Sequence, residues 1–154
     1  MKKITLIVLA VGFTTSIFAQ DTTSFSFEFN HLTLVVKDLD RSADFYKNVL
    51  LLGEINNRSK EKGMRWLSMG GVKELHISTI GNDNIIADTS IHFALSTSNF
   101  EGFINRLQGR GIRFTDSEGR PDVFSTRADG VRQLYFQDPD GYWIEVNNIA
   151  PRNR

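Results

Sequence analysis

The sequence predicts an α+β fold in which one unit, a strand followed by a helix and three more strands, occurs twice. Residues 30–36 alternate apolar and polar side chains as a half-buried strand does, and residues 90–96 repeat this alternation. Each of these strands precedes a segment with helical apolar spacing, and each helix precedes three strand candidates bounded by turn residues. The repeated order predicts two similar modules.

In the first module a helix is predicted from about Asp40, whose carboxylate can cap it. Its apolar stripe is formed by Ala43, Tyr46 and Leu50. A Gly-Gly pair at residues 70–71 is a turn signal between the last two strands. The three strand candidates after the helix are residues 53–57, 64–69 and 72–79.

In the second module Ser98 and Glu101 have the spacing of a capping box. The helix that follows carries an apolar stripe of Phe100, Phe103, Ile104 and Leu107. Residues 138–141, Asp-Pro-Asp-Gly, predict a type I turn. Residues 116–130 are polar, and we expect much of this stretch to form a loop over the site. The strand candidates are residues 112–115, 132–137 and 142–147.

The composition excludes several kinds of site. The chain has 154 residues, a formal net charge of zero, 40% apolar and 23% charged residues, and no cysteine. This length and composition predict one globular domain, and the balanced charge argues against nucleic-acid binding. Because there is no thiolate, any metal ion must be held by histidine and carboxylate side chains.

Residues 1–19 have the layout of a secretory signal peptide. Lys2 and Lys3 precede an apolar run from Ile4 to Phe13, and Ala19 supplies a small residue at the expected cleavage site. The apolar run is shorter than the roughly 20 residues that span a bilayer. No cysteine follows it, so no lipoprotein anchor is expected. We therefore expect a soluble exported protein, located in the periplasm, with no stable membrane anchor after cleavage.

The candidate site residues lie on the strand faces that point away from the helices. His31 and His92 hold equivalent positions in the first strand of each module, and Glu74 and Glu145 both lie in a final strand. His76 shares the face of Glu74, because side chains two apart on a strand point the same way. Imidazole and carboxylate groups suit one divalent ion, with zinc, nickel, iron, manganese and cobalt all open. A lone strand histidine is more often a packing residue, and the twofold pairing is what favours a metal site.

Two segments resemble the vicinal oxygen chelate superfamily. Residues Phe29–Ser42, with Phe45-Tyr46 and Val49-Leu50 after them, look like its opening motif, and Phe136–Glu145 resembles the closing motif of glyoxalase I. The resemblance implies two tandem βαβββ modules that form a cup-shaped mixed sheet around a metal site, with the helices outside. It implies a single domain at residues 28–149, with module one at 28–80 and module two at 90–149.

Carried over to this chain, the resemblance implies one divalent metal ion held by His31, Glu74, His92 and Glu145. It also implies that Glu145 or Glu74 is the catalytic base. His76 departs from the family pattern yet faces the same cup, where it could contact substrate or replace Glu74 as a ligand.

The activity that the resemblance implies is that of an exported, metal-dependent glyoxalase-like enzyme, a lyase that moves a proton between adjacent carbons of a substrate chelated through vicinal oxygens. Three alternatives stay open. The set of His31, His92 and Glu145 also resembles fosfomycin-resistance thiol transferases and extradiol dioxygenases, and a non-catalytic ligand-binding protein like the bleomycin-binding members is the third. The expected partner is a small molecule, and the protein is expected to be a monomer or a homodimer.

Overall fold

The computed structural model describes residues 27–81 and 88–150 of the chain. The predicted signal peptide lies outside the described residues, so the predictions of export and of a periplasmic location stay predictions. Within the described part, no helix is long and apolar enough to cross a membrane.

Module one consists of β1 (His31–Val35), α1 (Leu39–Asn48), β2 (Glu54–Ile55), β3 (Met64–Ser68) and β4 (Glu74–Ser78). These strands form one four-stranded sheet in the order β1-β4-β3-β2. Strand β1 runs parallel to β4, and the other neighbours are antiparallel. The helix between β1 and β2 covers one face of this sheet and leaves the other face open.

Module two consists of β5 (His92–Ser96), α2 (Phe100–Gly109), β6 (Ser125–Thr126), β7 (Arg132–Gln137) and β8 (Trp143–Asn147). Its sheet has the order β5-β8-β7-β6, with β5 parallel to β8. The repeated βαβββ order and the α+β class are therefore confirmed. The mixed sheet is present as two separate four-stranded sheets, in which β1 and β5 are edge strands.

Both helices begin one or two residues away from the predicted capping residues. The prediction that Asp40 caps α1 is wrong: Asp38 has extended backbone angles and its carboxylate accepts from the backbone N–H of Arg41. In α2 the cap is Asn99, whose side chain accepts from the N–H of Gly102, rather than Ser98. A cap needs non-helical backbone angles as well as a suitable side chain, and the pattern of apolar residues does not determine those angles.

The predicted strand at residues 112–115 is reduced to isolated bridges at Thr115. The chain turns immediately afterwards because the buried carboxylate of Asp116 accepts from the backbone N–H groups of Glu118 and Arg120. The fourth strand of module two is instead β6, which lies inside the predicted loop at 116–130. The rest of that stretch is irregular, as expected.

One hydrophobic core joins the two modules. Leu75 and Ile77 of β4, and Ile144 and Val146 of β8, are all buried in it. Because these positions alternate with Glu74, His76 and Glu145, the polar side chains must face the opposite side of each sheet. This confirms the predicted division of the strand residues between the helix side and the open side.

The turn between β7 and β8 connects module two to α1. The hydroxyl of Tyr46 donates to Asp138 Oδ2 at 2.7 Å, and the hydroxyl of Ser42 donates to Asp140 Oδ2 at 2.6 Å. Burial raises the pKa of Asp138 and raises that of Tyr46 well above its ordinary value. The predicted turn at residues 138–141 is thus a contact between modules as well as a hairpin connection.

The C-terminal end of α1 is held by a side chain from α2. Arg106 donates from Nε to the carbonyl of Val49 at 2.9 Å and from a terminal guanidinium nitrogen to the carbonyl of Asn48 at 2.5 Å. These carbonyls have no partner within the helix, and a cation at a helix C-terminus is favourable.

Replacing Arg106 with methionine is expected to lower the free energy of unfolding by about 1–2 kcal/mol, because two charge-assisted hydrogen bonds are lost. The measurement is urea denaturation followed by circular dichroism. Arg110→Met, at an exposed position just after the same helix, is the matched control and should change stability by less than about 0.5 kcal/mol. Equal losses in the two variants would contradict this function of Arg106.

Candidate metal and substrate site

The strand register places the predicted site residues in two groups, one on each sheet. In module one His31 lies opposite Glu74, and His76 lies two residues further along β4. In module two Ala94 lies opposite Glu145, which places His92 diagonally next to that carboxylate. Each group therefore contains the first-strand histidine and the final-strand glutamate of its own module.

The module-two group has the features of a metal-binding pair. His92 Nε2 lies 3.2 Å from Glu145 Oε2, and His92 Nδ1 lies 2.7 Å from the backbone carbonyl of Thr89. A carbonyl can only accept, so Nδ1 carries the proton and, in the neutral ring, Nε2 presents a lone pair to the carboxylate. Two lone pairs at this distance require a cation or an additional proton between them. A carbonyl that holds the far nitrogen is the usual arrangement for a metal-binding histidine.

The carboxylate of Glu145 is fixed by donors on its own sheet. Tyr135 donates to Oε2 at 2.9 Å and Asn147 donates from Nδ2 to Oε1 at 2.7 Å. Ser96 donates to Asn147 Oδ1 at 2.8 Å and so orients that amide. Burial, followed by the hydrogen bond to Glu145, raises the pKa of Tyr135 to about 12. Tyr135 therefore stays a hydrogen-bond donor at neutral pH.

The module-one group is organised around Glu74 in a different way. His76 Nε2 lies 2.9 Å from Glu74 Oε2, and one guanidinium nitrogen of Arg58 contacts both carboxylate oxygens at 2.7 and 2.9 Å. The hydrogen bond from His76, and then those from Arg58, lower the pKa of Glu74. This carboxylate is ionised and paired with groups of its own module.

His31 is exposed at the start of the edge strand β1. Its Nδ1 lies 2.7 Å from the side-chain carbonyl of Asn30, which leaves Nε2 as the free nitrogen, as in His92. Its ring stacks on that of His76, with centroids 4.4 Å apart and planes 14° apart. In both first-strand histidines Nδ1 is bound to an oxygen of a nearby residue, so Nε2 is the nitrogen that faces the open side of the sheet.

The imidazole and carboxylate groups of the candidate ligands are suitable donors for a divalent ion. The structure does not bring all of these side chains together. Across residues 27–81 and 88–150, no three histidine, aspartate or glutamate side chains converge into a group that could hold a metal ion. His92 and Glu145 supply two donors, and His31 lies on the other sheet. Glu74 and His76 are hydrogen-bonded to each other, and their assignment as metal ligands stays a prediction.

A cavity of about 550 Å³ opens beside the module-two pair. It is lined by His92, Tyr135 and Trp143, together with residues 115–119 of the predicted loop. In the described part of the chain, the Nε1 of Trp143 and the hydroxyl of Thr115 are buried without a hydrogen-bond partner. The volume is that of a small-molecule site.

Sequence reasoning missed the side chains that hold the candidate ligands, namely Arg58, Trp66, Tyr135 and Asn147. The last two could have been found from their register, because Tyr135 lies opposite Glu145 and Asn147 follows it by two residues on β8. No comparable signal exists for Arg58, since it lies in an irregular segment before β3.

Fold and site together define a class of protein: two βαβββ modules with histidine and carboxylate side chains on the open faces of their sheets. The chain belongs to the Glyoxalase/Bleomycin resistance protein/Dioxygenase superfamily, whose family model matches residues 28–146. This confirms the resemblance seen in the opening and closing motifs. The superfamily contains several activities, so membership leaves the reaction open.

Curated relatives and solved structures agree with this membership. A metallothiol transferase FosB from Shouchella clausii is 28% identical over 123 residues, with 77% of each chain covered. Another from Staphylococcus epidermidis is 26% identical over 129 residues, covering 81% of this chain and 84% of the relative. The fosfomycin resistance protein FosX from Listeria monocytogenes has a TM-score of 0.63 at 22% identity, covering 82% of this chain and 96% of its own. A putative glyoxalase family protein from Bacillus anthracis has a TM-score of 0.65 at 23% identity, with coverages of 83% and 99%.

Proposed function

We propose that the protein is a metal-dependent enzyme that adds a thiol to an electrophilic carbon of a small substrate bound through its oxygen atoms. The observation that carries the proposal is the pair of His92 Nε2 and Glu145 Oε2, 3.2 Å apart beside a cavity of about 550 Å³. The relatives named metallothiol transferases support the choice of a thiol as the second reactant.

The carboxylates favour thiol transfer over the glyoxalase-like proton transfer. A general base works best when its pKa is near the working pH, whereas Arg58 and His76 lower the pKa of Glu74. Glu145 accepts hydrogen bonds on both oxygens from Tyr135 and Asn147, which suits a fixed ligand better than a mobile base. In thiol transfer the nucleophile is the thiol that enters as the second reactant, so neither glutamate has to move a proton between carbons.

The residues that would hold the ion are His31, His92 and Glu145. A divalent ion bound there would act as a Lewis acid toward the substrate oxygens. Tyr135 and Asn147 keep the carboxylate oriented, and Thr89 keeps the His92 ring oriented through its carbonyl. With an epoxide as substrate, a carbon–sulfur bond forms while a ring carbon–oxygen bond breaks, and the proton of the thiol ends on the released oxygen.

We further propose that a second copy of the chain supplies His31. Strands β1 and β5 are the edges of their sheets, and each leaves one side without a partner strand in the described residues. Apolar side chains beside these edges are exposed, including Phe29 at 54% and Ile91 at 62%. Pairing such edges between two copies would cover this apolar surface and bring the His31 of one copy to the His92 and Glu145 of the other.

The proposal is tested by elemental analysis and thiol-conjugation assays on the same preparations, purified without chelators. Wild type is expected to hold one divalent ion per chain and to conjugate a small thiol, with cysteine as the probe, to fosfomycin. Glu145→Gln is expected to fold normally and to lose at least about 100-fold in rate, since an anionic ligand is gone. The control is Glu61→Gln, which changes an exposed carboxylate outside the site.

Three results would overturn the proposed function. The first is a wild-type protein without stoichiometric metal. The second is a metal-containing protein that fails to conjugate thiols but isomerises the hemithioacetal of methylglyoxal, which would support the glyoxalase-like prediction instead. A third overturning result is oxygen uptake with catechols by an iron-loaded sample that does not conjugate thiols, which would identify a dioxygenase.

A further inference from the structure

The rings of module one form a continuous stack that ends on the candidate ligand His31. The guanidinium of Arg58 lies 4.6 Å above the ring centre of Trp66, and Trp66 stacks on His76 with centroids 3.9 Å apart and planes 7° apart. His76 in turn stacks on His31 at 4.4 Å. The order of the stack follows from register, because Trp66 lies opposite His76 on β3 and β4.

The side chains at the far end of this stack from His31 form a closed ring of contacts. Arg58 holds Glu74, Glu74 accepts from His76 Nε2, and His76 lies against Trp66, over which Arg58 is placed. His76 is 6% exposed and Trp66 is 8% exposed, so neither ring has room to rotate. Within the described residues, Trp66 Nε1 has no hydrogen-bond partner. The indole contacts His76 and Arg58 through the faces of its ring.

His31 has no such support of its own. It is exposed at the first position of an edge strand, and its one hydrogen bond in the described residues is to the adjacent Asn30. A side chain in that position would ordinarily exchange between rotamers. The flat face of His76 restricts the His31 ring to nearly parallel orientations and leaves the ring edge with Nε2 uncovered.

We infer that His76 is a positioning residue, whose ring holds the imidazole of His31 in the orientation needed to bind the metal ion. The inference rests on the proposed function, because it takes His31 as a metal ligand. It assigns His76 neither to the metal nor to the substrate: its Nε2 is directed to Glu74 and its two faces are covered by rings. The stacked indole of Trp66 keeps the ring plane of His76 fixed, and Glu74 accepts a hydrogen bond at its edge.

The test uses two substitutions that separate the ring of His76 from its hydrogen bond. His76→Phe keeps a flat ring and removes the hydrogen bond to Glu74, whereas His76→Asn keeps a donor and removes the ring. In metal-free protein, NMR of the histidine ring protons should show the His31 signals shifted by the neighbouring rings. These shifts should persist in His76→Phe and collapse toward those of an exposed histidine in His76→Asn.

Co²⁺ titration followed by visible absorption gives the second measurement. His76→Asn is expected to weaken Co²⁺ binding about 10-fold, and His76→Phe by less than about threefold, because outer residues that orient a ligand typically contribute 10–100-fold in affinity. A variant that only damaged folding would lower the melting temperature and the Co²⁺ affinity together. The two variants are instead expected to have similar melting temperatures, while only His76→Asn shows the larger loss of Co²⁺ affinity.

The possible failures are distinguishable. If His31→Ala binds Co²⁺ as tightly as wild type, His31 is not a ligand and the proposed function fails with it. If His31→Ala loses Co²⁺ while His76→Asn retains wild-type affinity and unchanged His31 signals, the positioning role is overturned and the proposed function stands. An equal loss of Co²⁺ affinity in His76→Phe and His76→Asn would also overturn the positioning role, because a flat ring at position 76 would then make no difference.

Discussion

A heterodimer of one His31→Ala chain and one Glu145→Ala chain is expected to hold about half the metal and show about half the activity of wild type, although each variant alone has almost none. If His31 acts across the subunit boundary, one of the two sites in this heterodimer contains both substitutions, His31→Ala from one chain and Glu145→Ala from the other. The other combines the intact His31 of one chain with the intact His92 and Glu145 of the other.

The experiment requires two chains with different affinity tags, produced together and purified through both tags in turn. Metal content is measured by elemental analysis, and activity by the thiol-conjugation assay. Heterodimers of two His31→Ala chains provide the background level. A mixed heterodimer that stays at this background would show that each site is built within one chain, and would refute the shared site.

Asp138→Ala is expected to destabilise the protein by about 3–4 kcal/mol, because one buried hydroxyl and two partly buried backbone N–H groups lose their acceptor at once. The Asp138 carboxylate accepts from Tyr46, and its Oδ1 accepts from the backbone N–H groups of Asp140 and Tyr142 at 2.9 and 2.8 Å. Asp138 is 5% exposed, so water cannot take over the hydrogen bonds of the missing carboxylate.

The measurement is equilibrium denaturation in urea, with a double-mutant cycle between Tyr46→Phe and Asp138→Asn to isolate the hydrogen bond between the modules. Asn keeps an acceptor for the turn, so Asp138→Asn should cost less than Asp138→Ala. Asp44→Ala, at an exposed position of α1, is the control and should stay within about 0.5 kcal/mol of wild type. A loss below about 1 kcal/mol for Asp138→Ala would show that the turn does not hold the modules together.

The strand faces could be predicted from sequence, and the reasons are local. Alternation in β1, β5 and β8 separates core residues from open-face residues, so the orientations of His31, His92 and Glu145 followed directly. The caps could not be chosen this way, because Asp38 and Asp40 are chemically equivalent and only the backbone angles distinguish them. The turn at Asp116 was missed for a similar reason: a buried carboxylate that accepts from two nearby N–H groups leaves no periodic signal.

The positions of the candidate site residues on the strands could be predicted from sequence, whereas their assignment as metal ligands stays a prediction. Equivalent positions in the two modules identified the paired histidines and glutamates. What separates Glu74 from Glu145 is the presence of Arg58, which lies sixteen positions earlier in the chain and reaches Glu74 only through the fold. The distance between His31 and His92 depends on how the two sheets are arranged, and the residue pattern within a single strand does not predict that arrangement.

The Asp-Pro-Asp-Gly turn at residues 138–141 has a consequence for how such chains are classified. It is the most recognisable part of the sequence, yet its carboxylates hold Tyr46, Ser42 and backbone N–H groups on the helix side of the molecule. The side chains of this motif join the two modules, and they lie away from the candidate ligands His31, His92 and Glu145. Similarity in this segment therefore reports how the two modules are joined, and substrate assignment has to come from the open faces of the sheets.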